Sequence, residues 1–209
     1  MCNAVYFNTY KLKKNASESD FLGAVKTLFT EQIAKSKGYI SSAILLDGET
    51  WADYSFWETM DDHNAFVLSS QEASGKGTNE LAERFYSFCN FIGARSHRFS
   101  VMGSCSFDTK HLTTPNIISY HSYKLMKNTS VSDFLFAAEK VNTNFAKNQK
   151  GWLSSQMFNE GKVWADIAIF ESNDDLERFA GLCSQNEYVK KCDVYMDCSN
   201  LRSHKFTVI

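Results

Sequence analysis

Three residue types that support proton chemistry recur at matching places in the two halves of this 209-residue chain. An aspartate beside a histidine can orient the imidazole ring and set its protonation state, and a nearby tyrosine adds a hydroxyl group. We therefore predict one catalytic set in each half: Tyr10, Asp53 and His97 in the first, and Tyr123, Asp166 and His204 in the second.

Four other side chains are predicted to bind substrate, because they lie on the same predicted strands as the catalytic candidates. They are Asn8 and Trp57 in the first half, and His121 and Phe170 in the second. Tryptophan and tyrosine can stack on a flat aromatic molecule and also hydrogen-bond to it. The second repeat has Phe170 at the position of Trp57, so a role for the indole N–H is restricted to the first half. It has Leu176 at the position of His63, which argues against a role for this histidine in both sites.

Each candidate also has a purely structural interpretation. The two aspartates can accept hydrogen bonds from turn backbone or pair with Arg95 and Arg202, and the two histidines can face solvent from an edge strand. Trp51 and Trp164 are more typical of core packing than of ligand contacts. Repetition does not decide between these interpretations, since shared descent preserves core and site residues alike.

The matching positions follow from an internal repeat. The segment 10–22 returns as 123–135, and the segment 95–101 returns as 202–208. The offset is about 113 residues through the middle of each half and about 107 at its end. The sequence therefore contains two copies of one unit, with a few extra residues in the first copy.

The repeat divides the chain into two predicted domains. Residues 1–102 form the first repeat, and residues 117–209 form the second. Between them, residues 103–116 are short, polar and contain the only proline, which is typical of a linker.

Each repeat predicts the element order β-α-β-β-α-β, which is the ferredoxin-like unit. The first helix of each repeat begins with a capping box, at Ser17 and Asp20 and again at Ser130 and Asp133. Strands are predicted near 5–12, 39–46, 50–58 and 94–102, and near 117–126, 152–159, 162–171 and 201–209. Helices are predicted from 17, 59 and 81, and from 131 and 174, whereas 186–200 gives no clear assignment.

A ferredoxin-like sheet carries helices on one face only, yet large apolar groups alternate onto both faces of the third strand. Trp51 and Trp57 share one face, and Tyr54 and Phe56 share the other. An uncovered apolar face would be a large exposed patch, and burying it contributes roughly 25 cal/mol per Å². We therefore predict an α+β fold in which the two repeats pack sheet to sheet within the chain as a pseudo-dimeric α+β barrel.

Composition argues against several classes of protein. The net charge is -2 without a basic run, so nucleic-acid and membrane-surface partners are not expected. No apolar run is long enough to span a bilayer, and no secretory signal precedes the first strand, so we expect a cytoplasmic protein. None of the six cysteines lies in a C-x-x-C pair or at the same place in both halves. We predict reduced, mostly structural thiols and no metal site.

The third strand and the helix after it resemble those of the antibiotic biosynthesis monooxygenase-like family of the dimeric α+β barrel superfamily. The segment 54–66 has an aromatic residue before a glutamate, then an acidic pair and an apolar helix, and 167–179 repeats this pattern. Members of the family usually pair as homodimers of the single unit. The resemblance implies that this chain is a pseudo-dimer, and it leaves open a further homodimer of two such chains.

The family includes cofactor-independent monooxygenases of polycyclic anthrones. The resemblance implies that no cofactor is needed, since the substrate itself would donate an electron to oxygen. The protein would supply a dry pocket and a proton acceptor. We therefore expect a monooxygenase-like protein that acts on a small, aromatic substrate.

Two alternative functions would place different demands on the site residues. Haem-degrading relatives need an Asn on the first strand and a Trp and a His on the second helix. In this chain the strand position holds Tyr10 or Tyr123 and the helix Trp position holds Phe66 or Phe179, which argues against haem degradation. A non-catalytic small-molecule-binding or assembly protein of the same fold would have its Asp and His side chains paired internally instead of lining a cavity.

Overall fold

The computed structural model describes residues 3–77, 79–103 and 107–209. The chain forms two compact units, Met1–Ser100 and Val101–Ile209. Each unit has four strands and three α-helices.

The first unit has four antiparallel strands. β1 pairs with β3 on one side and with β4 on the other, and β2 pairs with β3, so the strand order is β2-β3-β1-β4. This order is the one that the ferredoxin-like pattern predicts. The elements are β1 (Ala4–Leu12), α1 (Glu18–Glu31), β2 (Tyr39–Asp47), β3 (Thr50–Trp57), α2 (Met60–Gly75), α3 (Glu80–Phe88) and β4 (Cys89–Met102).

The second unit repeats this arrangement. β5 pairs with β7 and β8, and β6 pairs with β7, so the order is β6-β7-β5-β8. The elements are β5 (Ile117–Leu125), α4 (Val131–Asn144), β6 (Trp152–Glu160), β7 (Val163–Phe170), α5 (Asn173–Cys183), α6 (Glu187–Asp193) and β8 (Met196–Val208). Across the described ranges the chain thus has eight antiparallel strands and six α-helices, and the predicted α+β class is confirmed.

The helices begin where the sequence places their caps. The hydroxyl of Ser17 accepts a hydrogen bond from the backbone N–H of Asp20, and Ser130 does the same for Asp133. Both α1 and α4 then place an apolar stripe against the sheet, with Phe21 and Phe134 fully buried at its centre. This packing leaves one face of each sheet directed at its own helices.

Two strands begin earlier than predicted. β4 starts at Cys89 rather than near residue 94, and β8 starts at Met196 rather than near residue 201. A register shift in β1 after Thr9, and a similar one in β5, allows pairing to continue past the irregular positions. The segment 186–200, which had no assignment, contains α6 and the start of β8.

A glycine fixes the start of the second helix in each unit. Gly38 and Gly151 have φ angles of 74° and 75°, and their backbone lies against the side chains of Asp62 and Asp175. Any Cβ at either glycine would collide with that carboxylate. Only glycine combines this left-handed backbone with so close an approach. The junction sets the position of α2 and α5 over the sheet.

Candidate active site

In the first unit, Asn8 lies at the centre of the sheet face that is directed at the helices. It stands directly opposite Asp53 on β3 and Ser96 on β4. Residues directly opposite in an antiparallel sheet share a face, so these three side chains are neighbours. The Ser96 hydroxyl donates a hydrogen bond to the Asn8 side-chain oxygen.

Asp53 is a buried carboxyl group with incomplete hydrogen bonding. Only 8% of the residue is exposed, and its Oδ1 has no partner of ordinary hydrogen-bond geometry among the described residues. Burial raises the pKa of Asp53 to about 7, although Asn8 and Tyr10 approach the carboxyl group and favour its charged form. Asp53 can therefore hold or release a proton near neutral pH.

A cavity of about 550 Å³ lies between the sheet and the helices of the first unit. Asn8, Asp53 and Trp57 line it, as predicted for a site on this face. Tyr10 packs deeper, edge-on to Phe21 and Phe85 at ring-centre distances of 6.2 and 5.8 Å, and is not part of the lining.

His63 on α2 also lines this cavity, which the sequence interpretation did not anticipate. The residue is 2% exposed, and its ring lies 4.7 Å from the ring of Tyr6 and 5.4 Å from that of Trp57. Burial and, to a smaller extent, the charge of Arg98 lower the pKa of His63 to about 4, against an opposing contribution from a hydrogen bond with Asn64. The imidazole is therefore neutral at physiological pH.

A signal for His63 was present in the sequence. It begins the inward-facing stripe of α2, which continues at helical spacing through Phe66, Val67 and Ser70. The comparison of the two repeats hid this signal, because the matching position in the second repeat is Leu176.

In the second unit, a histidine and an aspartate form a direct pair on the equivalent face. His121 replaces Asn8, and its Nδ1 lies 3.2 Å from Asp166 Oδ2. The two side chains are 37% and 33% exposed. Burial by itself lowers the pKa of His121, but the hydrogen bond and charge of Asp166 outweigh it, so the pKa is raised above its ordinary value.

The His121–Asp166 pair lies in the wall of a cavity of about 510 Å³ between the sheet and helices of the second unit. Tyr123 and Phe170 line the same cavity, so the predicted residues of this half meet, except for His204. Burial raises the pKa of Tyr123 well above its usual value, and the charge of Asp166 adds to this, so the phenol keeps its proton. Most of the remaining wall is apolar: Phe134, Ala138, Val141, Leu176 and Phe179.

The prediction that His97 and His204 join these sites is wrong. His97 stands opposite Phe7, and His204 stands opposite Tyr120, which places both histidines on the other face of their sheets. There they stack on Phe99 and Phe206 at 4.9 and 5.0 Å. Side chains alternate between faces along a strand, so a shift of one position moves a residue to the other side.

The alternative interpretation, in which Arg95 and Arg202 form ion pairs with the two aspartates, is also wrong. Arg95 stands opposite Thr9, and Arg202 stands opposite Ser122, so both lie on the face away from Asp53 and Asp166. The interpretation of Trp51 and Trp164 as core residues is confirmed. Trp51 packs edge-on against Phe21 at 4.9 Å, and Trp164 packs in the same way against Phe134 at 5.2 Å.

The described cysteines, Cys89, Cys183, Cys192 and Cys198, are free thiols. Burial raises the pKa of Cys89 and Cys192 to about 12, and that of Cys183 to about 11, so these three are poor nucleophiles at neutral pH. Within the described ranges, no group of three or more His, Cys, Asp or Glu side chains is placed to hold a metal ion. No helix among those residues is long and apolar enough to cross a membrane.

No family model matches the chain, and no curated protein matches it significantly in sequence. Solved structures match its fold over nearly the full length. A candidate monooxygenase from Lactobacillus acidophilus NCFM has a TM-score of 0.70 at 9% identity, covering 99% of this chain and 94% of its own. For a candidate monooxygenase from Fusobacterium nucleatum the TM-score is 0.66 at 9% identity, with coverages of 99% and 92%.

An anthrone oxidase-like protein also matches, with a TM-score of 0.63 at 10% identity, covering 99% of this chain and 91% of its own. At these identities the comparison establishes the fold. The fold that the repeated motifs predict is thereby confirmed: this chain shares the α+β fold of these structures, two of which are described as candidate monooxygenases and the third as anthrone oxidase-like.

Proposed function

We propose that the chain is a cofactor-independent monooxygenase of small, planar aromatic substrates, and that the second unit holds the catalytic site. The observation that carries the proposal is the His121–Asp166 pair, with 3.2 Å between Nδ1 and Oδ2, in the wall of a mostly apolar cavity. The similarity in fold to an anthrone oxidase-like protein points toward the same class of substrate.

His121 is the proton acceptor in this proposal. Its Nδ1–H donates to Asp166, which leaves Nε2 as the nitrogen that takes a proton from an acidic C–H of the substrate. Asp166 stabilises the imidazolium that forms, as its effect on the pKa of His121 indicates. Tyr123 keeps its phenolic proton and is available to donate a hydrogen bond to a developing enolate oxygen.

The remaining steps use electrons from the substrate alone. The carbanion transfers one electron to O₂, and the resulting radicals combine into a peroxide at the same carbon. Loss of water then converts the peroxide into a ketone, so that CH₂ and O₂ become C=O and H₂O. Aromatic walls such as Phe170 and Phe179 would hold the flat substrate and exclude competing water.

Oxygen uptake with an anthrone substrate tests this proposal. We expect His121→Asn, which installs the residue of the first unit, and Asp166→Asn to lower kcat/KM by roughly a hundredfold or more, which is typical of losing a general base. Asp174→Asn removes an exposed carboxylate from the start of α5 and is expected to retain the wild-type rate.

Wild-type uptake that survives in both His121→Asn and Asp166→Asn would contradict the assignment. Binding of the anthrone without any uptake would instead support the second candidate, a non-catalytic small-molecule-binding protein.

A further inference from the structure

The last strand of each unit has a bulge opposite the tyrosine of the central strand. In β4, residues 91–94 lie opposite the single residue Tyr10 of β1. In β8, residues 198–201 lie in the same way opposite Tyr123 of β5. Bulges re-aim side chains and are common beside active sites. Because the two bulges occupy matching places in the repeats, their residues can be compared one by one.

In the first unit, aromatic rings separate this tyrosine and the bulge from the cavity. Tyr10 packs against Phe85 of α3 and Phe91 of the bulge, at ring-centre distances of 5.8 and 5.9 Å. Phe91 also packs against Tyr86 at 5.7 Å. Phe85 and Tyr86 belong to the lining of the first cavity, whereas Tyr10 and Phe91 lie outside it. The first cavity therefore ends at these rings.

The second unit has no ring at the positions of Phe85, Tyr86 and Phe91. The matching side chains, at the offset of about 107 residues, are Cys192, Asp193 and Cys198. All three line the second cavity, and so does Tyr123, the counterpart of Tyr10. With these smaller side chains in place of rings, the second cavity extends past its tyrosine and reaches the bulge.

The bulge of β8 is also where the second cavity meets solvent. Among the described residues of its lining, those that are exposed are Ala180 on α5, Asp193 at the end of α6, and Cys198 and Leu201 in the bulge. Three of these four lie within the segment 193–201. Residues that both line a cavity and face solvent mark its opening. The opening is therefore bordered by Cys198, where the first unit has a phenylalanine.

We propose that the segment 193–201 is the entrance of the second cavity, and that Cys198 sets the size of the molecule that passes. Its small side chain admits a rigid substrate of three fused rings, which a phenylalanine at the same place would obstruct. The substrate then reaches Tyr123 and His121 on the central strand. This inference rests on the proposed function, because it concerns the substrate of that same site.

Stopped-flow binding of 1,8-dihydroxyanthraquinone to the full chain tests the entrance, because this flat three-ring probe has no methylene group to be oxidised. The parent protein carries Trp57→Phe, so that Trp152 is the tryptophan left in the lining of either cavity and its quenching reports on the second. We expect Cys198→Phe, which introduces the residue of the first unit, to lower the association rate constant at least tenfold.

Matched variants separate an effect of the entrance from an effect of the added ring. Ser199→Phe adds the same ring one residue further along the bulge, outside the lining, where the first unit has Ile92 with 90% exposure. We expect this variant to bind at the parent rate, and Cys198→Ala to bind at least as fast. Thermal melting shows whether each variant is folded. If Cys198→Phe is not, Cys198→Leu should still slow association at least threefold.

Three results would overturn the entrance: no binding of the probe, association at the parent rate in folded Cys198→Phe or Cys198→Leu, or equal slowing by Ser199→Phe. Oxygen uptake from an anthrone decides the proposed function separately. Uptake that depends on His121, together with association that ignores residue 198, would refute the entrance alone. Association controlled by residue 198 without any oxygen uptake would refute the monooxygenase alone.

Discussion

At the scale of single residues, the corresponding aspartates of the two units differ in their burial and in their neighbour on the central strand. Asp53 faces Asn8, and burial raises its pKa to about 7. Asp166 faces His121, which bonds to it and remains partly exposed with it. Asp53 is thus a buried carboxyl group whose pKa is raised, whereas Asp166 is the hydrogen-bond partner of an imidazole.

The raised pKa of Asp53 predicts a loss of stability with rising pH. The folded-state pKa of about 7 lies above the ordinary value of 3.8, so the folded state binds the proton more tightly than the unfolded state does. The free energy of unfolding should therefore fall as pH rises from about 4 to about 7, by on the order of 4 kcal/mol. Asp53→Asn, which cannot ionise, should not show this loss.

Urea unfolding of both proteins across this pH range measures the effect. The difference in unfolding free energy, wild type minus Asp53→Asn, isolates this residue because the other titrating groups are shared. A difference that stays constant with pH would contradict the assignment.

The pKa of His121 should depend on Asp166. NMR titration of the wild type is expected to place it above the ordinary value of 6.5, because Asp166 stabilises the imidazolium. In Asp166→Asn only the effect of burial remains, so the pKa should fall below 6.5. The exposed-site variant Asp174→Asn should titrate as the wild type does. An unchanged pKa in Asp166→Asn would mean that the two groups are not coupled.

At the scale of elements, the position of the second helix depends on one glycine in each unit. The Gly151 carbonyl accepts a hydrogen bond of 2.8 Å from the N–H of Glu171, and the glycine Cα lies against Asp175. Asp175 in turn exchanges hydrogen bonds with Ser172 at the start of α5 and pairs with Arg178 at 2.6 Å. This junction places Leu176 and Phe179 over the second cavity.

Gly151→Ala should therefore be more destabilising than a matched change elsewhere. Gly161 has a similar φ of 60°, but a Cβ there meets no atom within 4 Å. Both substitutions carry the left-handed strain of roughly 1–2 kcal/mol. Gly151→Ala should cost about 1–3 kcal/mol more, because Asp175 must move. Chemical denaturation of the two variants gives the comparison, and equal losses would show that the junction tolerates a methyl group.

The elements themselves were readable from the sequence, whereas the register between strands was not. The alternation in β3 correctly placed Asp53 and Trp57 on one face, since side-chain direction along a strand has a period of two. Assigning His97 to that face required the register between β1 and β4. That register is set by pairing along the sheet and includes a shift after Thr9, which no local pattern in the sequence reveals.

At the scale of the whole molecule, the internal repeat of the sequence explains both what it predicts correctly and what it hides. The repeat revealed two units of the same architecture and correctly brought His121 and Asp166 to one cavity. It also obscured His63, because a residue present in only one copy was discounted. The two cavities differ in their polar residues, so function should be sought in the differences between the two units as well as in what they share.

The most direct test of the central claim is proton abstraction measured without oxygen. An anthrone incubated anaerobically with the protein in D₂O should exchange its acidic methylene hydrogens at a rate proportional to protein concentration. Because His121 is the proposed base, His121→Asn should reduce this catalysed exchange roughly a hundredfold. Asp174→Asn should not change it. Exchange that proceeds equally in wild type and His121→Asn, or that never exceeds the buffer rate, would contradict the account.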